Sequence, residues 1–276
     1  FPNYYQIAKC YRDEDSRKDR QPEFTQLDLE FSDANPELVK SKVEEIIKFV
    51  FSDAYDCKIK TPFNTLTYEE AINLYGTDKP DLRIEEKIFD ITDIFTDTSI
   101  NFLNDILSSQ GSVKALHTNE LLTRKQIDDL DTEIKELGSN GLGWFKIEDT
   151  NISGPLAKLL NDNEKSKLLS YGSGTLLFQA GIIKEIANFL DVIRRTVFQP
   201  LNNDVYSFVW IEDFPFFEVE DGELQPSHHP FTSPKSNEIF KEDPTNATAL
   251  HYDLVLNGVE LGSGSQRINN PEIQTL

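Results

Sequence analysis

Methionine is absent from the 276 residues, and cysteine is nearly so, with only Cys10 and Cys57. Two cysteines make neither a disulfide framework nor a zinc set, so a reducing compartment is the simplest reading. No apolar run is long enough to span a bilayer, which argues against a membrane partner. No signal-peptide pattern is present, and the chain opens at Phe1 without an initiator. Basic residues are scarce: 27 Lys and Arg stand against 48 Asp and Glu, for a net charge of −21. That balance excludes a general affinity for nucleic acid, which needs clustered cations to displace counterions. An RNA partner would have to be held by local basic patches or by parts of the protein outside this chain. What is plentiful is phenylalanine, 19 in all, within a hydrophobic fraction of 38%. Real cores are therefore expected, and the length suits one large domain or two of ordinary size.

The stretch from Tyr4 to Glu30 reads as two strands joined by a charged loop. Alternation puts Gln6, Ala8, Cys10 and Arg12 on one face of the first strand. In the second, Phe24, Gln26, Asp28 and Glu30 share a face, while Leu27 and Leu29 point the other way, toward an expected core. One open surface would then present a guanidinium, a ring, an amide and a carboxylate. An ordinary two-faced sheet shows the same alternation. The loop from Asp13 to Pro22, with no hydrophobic residue, reads by itself as solvated.

The residues RDED, then DRQPEFTQLDLE, resemble motif 2 of the class II aminoacyl-tRNA synthetases, specifically the aspartyl-tRNA synthetases. The resemblance implies an α+β fold: the class II antiparallel sheet flanked by helices, with an inserted α+β (GAD) domain.

Further along, Asn35-Pro36-Glu37 is a helix start, with a capping side chain, a proline that loses nothing there, and an acid at the positive end. Apolar residues from Leu38 to Phe51 keep helical spacing, which predicts a packing helix to about Ala54. Thr67 opens a short helix ended by Gly76. The string LTYEEA…YGTDKPDLR is similar to a segment of bacterial-type aspartyl synthetases. From Phe89 to Pro200, helical stretches at 121–137 (capped by Thr123 and stopped by Gly138), 154–171 and 182–198 alternate with the strands GWFKIED and TLLFQAG, predicting an independent α+β domain. With the segment LTRKQID, it resembles the GAD insertion of bacterial and organellar enzymes. The expected division is 1–88 for the catalytic core, 89–200 for the insertion and 201–276 for the core continued. His117 carries no chemistry in this reading.

An apolar strand at Tyr206–Trp210 re-enters the core. His228 and His229 follow, before Pro230, which imposes an extended backbone on His229. Adjacent histidines are more often incidental than a ligand pair. The string HHPFTSP is nonetheless characteristic of the family, in which the first histidine lies against the bound amino acid. Asn257-Gly258 is a two-residue turn signal. Pairing outward from it sets Leu256 opposite Val259, Val255 opposite Glu260, Leu254 opposite Leu261 and Asp253 opposite Gly262. Asp253 and Glu260 would be diagonal neighbours with Cβ atoms about 7–8 Å apart. They could share a hard cation, or be solvated acids on an exposed face. The resemblance assigns such a strand pair to Mg²⁺ and ATP. Gly262, Ser263, Gly264 and Ser265 would let a ligand approach the backbone, and Arg267 is a candidate anion clamp.

The activity implied is activation of L-aspartate by ATP and its transfer to the 3′ end of tRNA(Asp). At the matching positions, Arg12 would fork onto the α-phosphate and the attacking carboxylate, and Phe24 would stack on adenine. Glu14 and Gln21 would hold the nucleotide, with Asp13 framing the loop. Asp28 would take the substrate ammonium, and Gln26 would border the adenylate. Glu260 with Asp253 would carry Mg²⁺, and Arg267, helped by His228, would take the β-carboxylate. No anticodon-binding domain, motif 1 helix or motif 3 is found, and LGSGSQR departs from the more usual triple glycine. The polypeptide is therefore expected to be a fragment of a protein that is a homodimer at full length. Competing readings are a sister synthetase for asparagine or lysine, and an idle synthetase-like module binding tRNA or protein. Asn, Lys and Ile usage and a diverged insertion point to a mitochondrial matrix enzyme, with the bacterial cytoplasm as the alternative.

Overall fold

A computed structural model describes residues 3–13, 20–220 and 222–275. In chain order the first elements are β1 (Asn3–Tyr11), β2 (Glu23–Phe31), α1 (Pro36–Tyr55), β3 (Asn64–Thr67) and α2 (Tyr68–Tyr75). Then come β4 (Phe89–Asp90), α3 (Asn101–Ser108), β5 (Ser112–Thr118), α4 (Arg124–Glu136), β6 (Gly143–Glu148) and β7 (Asn151–Ser153). They continue with α5 (Asp162–Leu169), β8 (Gly174–Gly181), α6 (Ile183–Val197), β9 (Phe208–Glu212), β10 (Phe217–Glu220) and β11 (Glu223–Pro226). The last are α7 (Asn237–Glu242), β12 (His251–Leu256), β13 (Val259–Ser265) and α8 (Pro271–Gln274). Strands and helices thus mix in the α+β manner, and the pairings β1–β2, β10–β11, β9–β12–β13 and β4–β5–β8–β6–β7 are antiparallel. Backbone contacts divide the chain into two units, one of residues 1–65 with 208–276, the other of residues 66–207.

In the first unit, β13, β12, β9 and β3 form a four-stranded sheet in that order. Helix α1 covers one face of it. Its start is the predicted one, Asn35 Oδ1 accepting from the Leu38 N–H at 2.9 Å. The apolar stripe of α1 (Val39, Val43, Ile47, Phe51) packs on Phe208, Trp210, Tyr252 and Leu254. One buried acid, Glu44, ties helix to sheet: it accepts from Trp210 Nε1 at 2.9 Å and from the Phe63 N–H at 3.1 Å. Strands β1 and β2 form a separate two-stranded sheet. This corrects the expected core burial of Leu27 and Leu29. Leu27 is 47% exposed, and Ile7, its partner in the register, is 66% exposed. A hairpin not paired to a larger sheet wets both faces, so alternation alone does not bury either one.

The second unit is a five-stranded sheet, β4-β5-β8-β6-β7, covered on both sides. Leu116 and Leu177 face α4 and α6 through Ile127, Leu130, Ile186 and Leu190. Val113, Ala115, Leu176 and Phe178 face the opposite way, onto Leu103 of α3 and Leu168 of α5. The caps read from sequence are present, with reciprocal capping boxes at Thr67 and Thr123. The stretch 154–171 differs from the single helix expected, since the α-helix starts only at Asp162, where Asn161 supplies a new cap.

The expected boundaries at 88/89 and 200/201 fall inside this unit, and Arg194 supplies the reason. Its guanidinium is fully buried and donates to the carbonyls of Asp81 (2.9 Å), Ile84 (2.6 Å) and Glu86 (2.7 Å). It also lies 4.9 Å from the Tyr75 ring. Gly76, at φ 78°, sits against the Ala187 carbonyl, leaving no room for a Cβ. Helix α2 and the loop after it are therefore built onto α6.

Candidate active site

The residues singled out in the sequence gather in two groups, both in the first unit. The first group lies on the β1–β2 hairpin. Its register pairs Gln6 with Asp28, Ala8 with Gln26 and Cys10 with Phe24, so these six share one face. Ala8 and Cys10 are small, which keeps the middle of that face low. Cys10 Sγ lies 2.9 Å from Gln26 Oε1. Arg12 closes the end of the ladder, its N–H donating to the Pro22 carbonyl at 2.9 Å. Its guanidinium sits over the Phe24 ring at 5.2 Å, a cation–π contact of about 0.5–1 kcal/mol at an exposed site. Arg12, Phe24, Gln26 and Asp28 are thus aligned on one wetted surface. Asp13 and Gln21 flank it, exposed. Glu14 lies outside the described residues.

The second group is built around β12 and β13. The Asn257-Gly258 turn is as predicted, both residues having positive φ (51° and 85°). Leu256 pairs with Val259 and Val255 with Glu260, as expected, but a bulge follows. Leu261 is the extra residue, so Leu254 pairs with Gly262 and Asp253 with Ser263. This corrects the pairings expected for Leu254 and Asp253. On β12, Asp253 still shares a face with Val255, and hence with Glu260 across the ladder. Ser265, opposite His251, joins the same face. Gly264 has a packing role: a Cβ there would lie 2.5 Å from the Tyr252 ring. Gly262 faces open space.

Backbone hydrogen bonds knit the segment after β11 onto this strand pair. Ser233 N–H donates to the Gln266 carbonyl and Ile268 N–H to that of Phe231, while the Ser233 carbonyl accepts from Leu250, all at 2.8 Å. Thr232 and Arg267 form an antiparallel bridge, which fixes Arg267 beside the HHPFTSP segment. That segment and the Ser227 just before it carry buried polar atoms with no hydrogen-bond partner among the described residues: Ser227 Oγ, His228 Nε2 and Thr232 Oγ1. Atoms of this kind are costly unless a ligand or water meets them.

His228 does not stand alone. Its ring stacks on that of His251, centroids 3.9 Å apart and planes 19° from parallel. Phe214 meets both rings edge-on, at 5.4 and 5.2 Å. His251 Nε2 in turn lies 2.9 Å from Asp253 Oδ1. A carboxylate only accepts, so the proton of that bond is on the imidazole. Burial pushes His228 down to about 4, and the neighbouring His251 adds to this, against the opposing pull of Asp253 and of a hydrogen bond with the Pro215 backbone. At neutral pH His228 therefore offers shape and hydrogen bonding but no charge. Among this group, the fixed positive charge is that of Arg267.

His251 was not singled out in the sequence. The signal available was its spacing, two residues before Asp253 and so on the same strand face, but its partner His228 is remote in the chain. Among the described residues no group of three or more His, Cys, Asp or Glu side chains is placed to hold a metal ion. Asp253 and Glu260 supply two carboxylates, one of them oriented by His251. Such a pair suits a hard cation whose remaining ligands are phosphate oxygens and water.

A family model described as tRNA synthetases class II (D, K and N) matches residues 1–276. The chain is 42% identical over 282 residues to an aspartate–tRNA ligase of Mycoplasma mycoides, covering 98% of this chain and 49% of that protein. It is 40% identical over 299 residues to an aspartate–tRNA(Asp/Asn) ligase of Hydrogenobaculum, covering 100% and 50%. Against an aspartate–tRNA(Asp/Asn) ligase of Dictyoglomus turgidum the figures are 41% over 286 residues, 99% and 48%. The chain spans about half the length of the curated relatives it matches.

Proposed function

We propose that this chain, which belongs to the class II tRNA synthetases (D, K and N), carries the amino-acid activation site of an aspartate–tRNA ligase. The observation that carries the reading is the bridge between Thr232 and Arg267. It sets the backbone of Arg267 beside a segment in which His228 is uncharged at neutral pH and buried polar atoms have no partner among the described residues. An anionic side chain suits that setting, whereas an amide would leave donors facing donors. The names of the relatives, all aspartate ligases, support the same substrate.

In this reading a carboxylate oxygen of aspartate attacks the α-phosphorus of ATP in line. The new O–P bond forms as the bond to the bridging oxygen breaks, and pyrophosphate leaves with the electron pair. Positioning and charge stabilisation do most of the work. Arg12 forks onto the α-phosphate and the attacking carboxylate, moving off the Phe24 ring as adenine stacks there. Gln21 and Glu14 hold the nucleotide, with Asp13 beside them. Asp28 receives the substrate ammonium, and Gln26 lines the low middle of the hairpin face. Asp253 and Glu260 hold Mg²⁺, which when bound screens the triphosphate charge. Arg267 takes the β-carboxylate.

Transfer to the 3′ end of tRNA(Asp), a homodimeric full-length protein, and an inserted domain of the GAD type in the second unit belong to the same proposal. So does a mitochondrial matrix location, with a bacterial cytoplasm as the alternative; import of a tagged full-length protein into isolated mitochondria separates the two. The test of function is pyrophosphate exchange by the full-length protein with aspartate, asparagine and lysine in parallel. Exchange driven by aspartate alone is expected. Equal exchange with asparagine or lysine, or none with any of the three, overturns the assignment. Charging assays with tRNA(Asp) and tRNA(Asn) then establish which RNA is served.

A further inference from the structure

The stack of His228 on His251 joins two parts of the site that the proposed reaction uses separately. One is the amino-acid side, where His228 Nε2 is buried with no hydrogen-bond partner among the described residues. The other is the cation side, where Asp253 is 5% exposed and takes its described side-chain hydrogen bond from His251. His251 touches both at once: its ring face lies 3.9 Å from that of His228, and its Nε2 is 2.9 Å from Asp253 Oδ1. Phe214 holds the pair from the side, at 5.2 Å from His251 and 5.4 Å from His228. The Ala249 N–H, donating to the Phe214 carbonyl at 2.9 Å, ties that wall to the start of β12. His251 pairs with Ser265, two residues before Arg267.

We infer that His251 is a positioning residue for this site: its ring face sets the plane of His228 toward the amino acid, and its N–H sets the carboxylate of Asp253 toward the cation. The inference rests on the proposed activation of aspartate. Two jobs done by two parts of one side chain are separable by substitution. His251→Gln keeps an N–H donor near the place of Nε2 and loses the ring. His251→Phe keeps the ring and loses the donor. Neither residue replaces both functions, and His251→Ala removes both.

The experiment uses the full-length protein and two readouts. The first is KM and kcat for aspartate in pyrophosphate exchange. The second is Mn²⁺ binding with ATP present, followed by electron paramagnetic resonance and needing no turnover. For His251→Gln, KM for aspartate is expected to rise about tenfold while Mn²⁺ affinity stays within about twofold. For His251→Phe the pattern reverses, with Mn²⁺ affinity falling about tenfold, as for other groups that orient a metal ligand. His251→Ala loses both. A merely structural role would lower the melting temperature and the folded fraction in all three variants without separating the readouts. Parallel losses in His251→Gln and His251→Phe, or no change in either, overturn the inference while leaving aspartate activation standing. Absence of aspartate exchange in the unsubstituted protein overturns both.

Discussion

Mild acid is the perturbation that most directly interrogates the histidine stack. His228 sits at about 4 in the folded chain against an ordinary value of 6.5, chiefly because burial disfavours the charged ring. The unfolded chain therefore takes up the proton first as pH falls. His228 contributes its full stability above 6.5 and loses it progressively as pH drops through about 4. At about 1.4 kcal/mol per pH unit the gap corresponds to about 3 kcal/mol. Solvent screening of a part-exposed ring brings this to about 2 kcal/mol. The groups facing the ring are His251, Phe214 and, through His251, Asp253. The carboxylates of the chain also titrate in this range, so the assay is a difference. Urea unfolding is followed at about pH 7.5 and about pH 4.5 for the unsubstituted chain and for His228→Gln. The unsubstituted chain should lose about 2 kcal/mol more than the variant between those conditions. A His228 ring resonance titrating near its ordinary value, or equal losses in the two proteins, would refute the reasoning.

Three further outcomes follow from the geometry. Arg194→Met leaves three buried carbonyls without their donor, while Asp191 keeps its ion pair with Arg195, so it should cost about 3–5 kcal/mol. Calorimetry should show the melting temperature of the chain lowered by about 10 °C, and Arg194→Lys should not restore it, since an ammonium cannot span the three acceptors. Gly264→Ala forces a Cβ against the Tyr252 ring and should destabilise by about 1–3 kcal/mol in urea; an unchanged midpoint would mean that the ring moves freely. Arg267→Ala in the full-length protein should raise KM for aspartate by about 100-fold or more while KM for ATP changes little, and unchanged exchange kinetics would remove Arg267 from the site.

Much of the local structure was readable because its causes are local. Asn35, Thr67 and Thr123 cap their helices within a few residues of themselves. The Asn257-Gly258 turn needs only two residues able to take positive φ. The shared face of Arg12, Phe24, Gln26 and Asp28 follows from period-two alternation once the hairpin register is known. Two features read from pattern came out differently. Leu27 has the right alternation for a core, yet burial depends on what covers the face, and the hairpin is a sheet by itself. Asp253 was aligned by counting outward from the turn, and a single bulged residue changed its partner.

The amino-acid sequence thus determined the helix starts and stops, the two hairpins, the faces their residues share and the family to which they belong, all set by short-range sterics and hydrogen bonding. Only the tertiary structure decided that residues 66–88 join the second unit, that Leu261 bulges out, and that His251 bridges His228 and Asp253. Those outcomes arise from contacts between residues far apart in the chain. A buried guanidinium reaching back across more than a hundred residues, or a ring of a strand stacked on one from a loop, leaves no periodic trace in the sequence that brings them together.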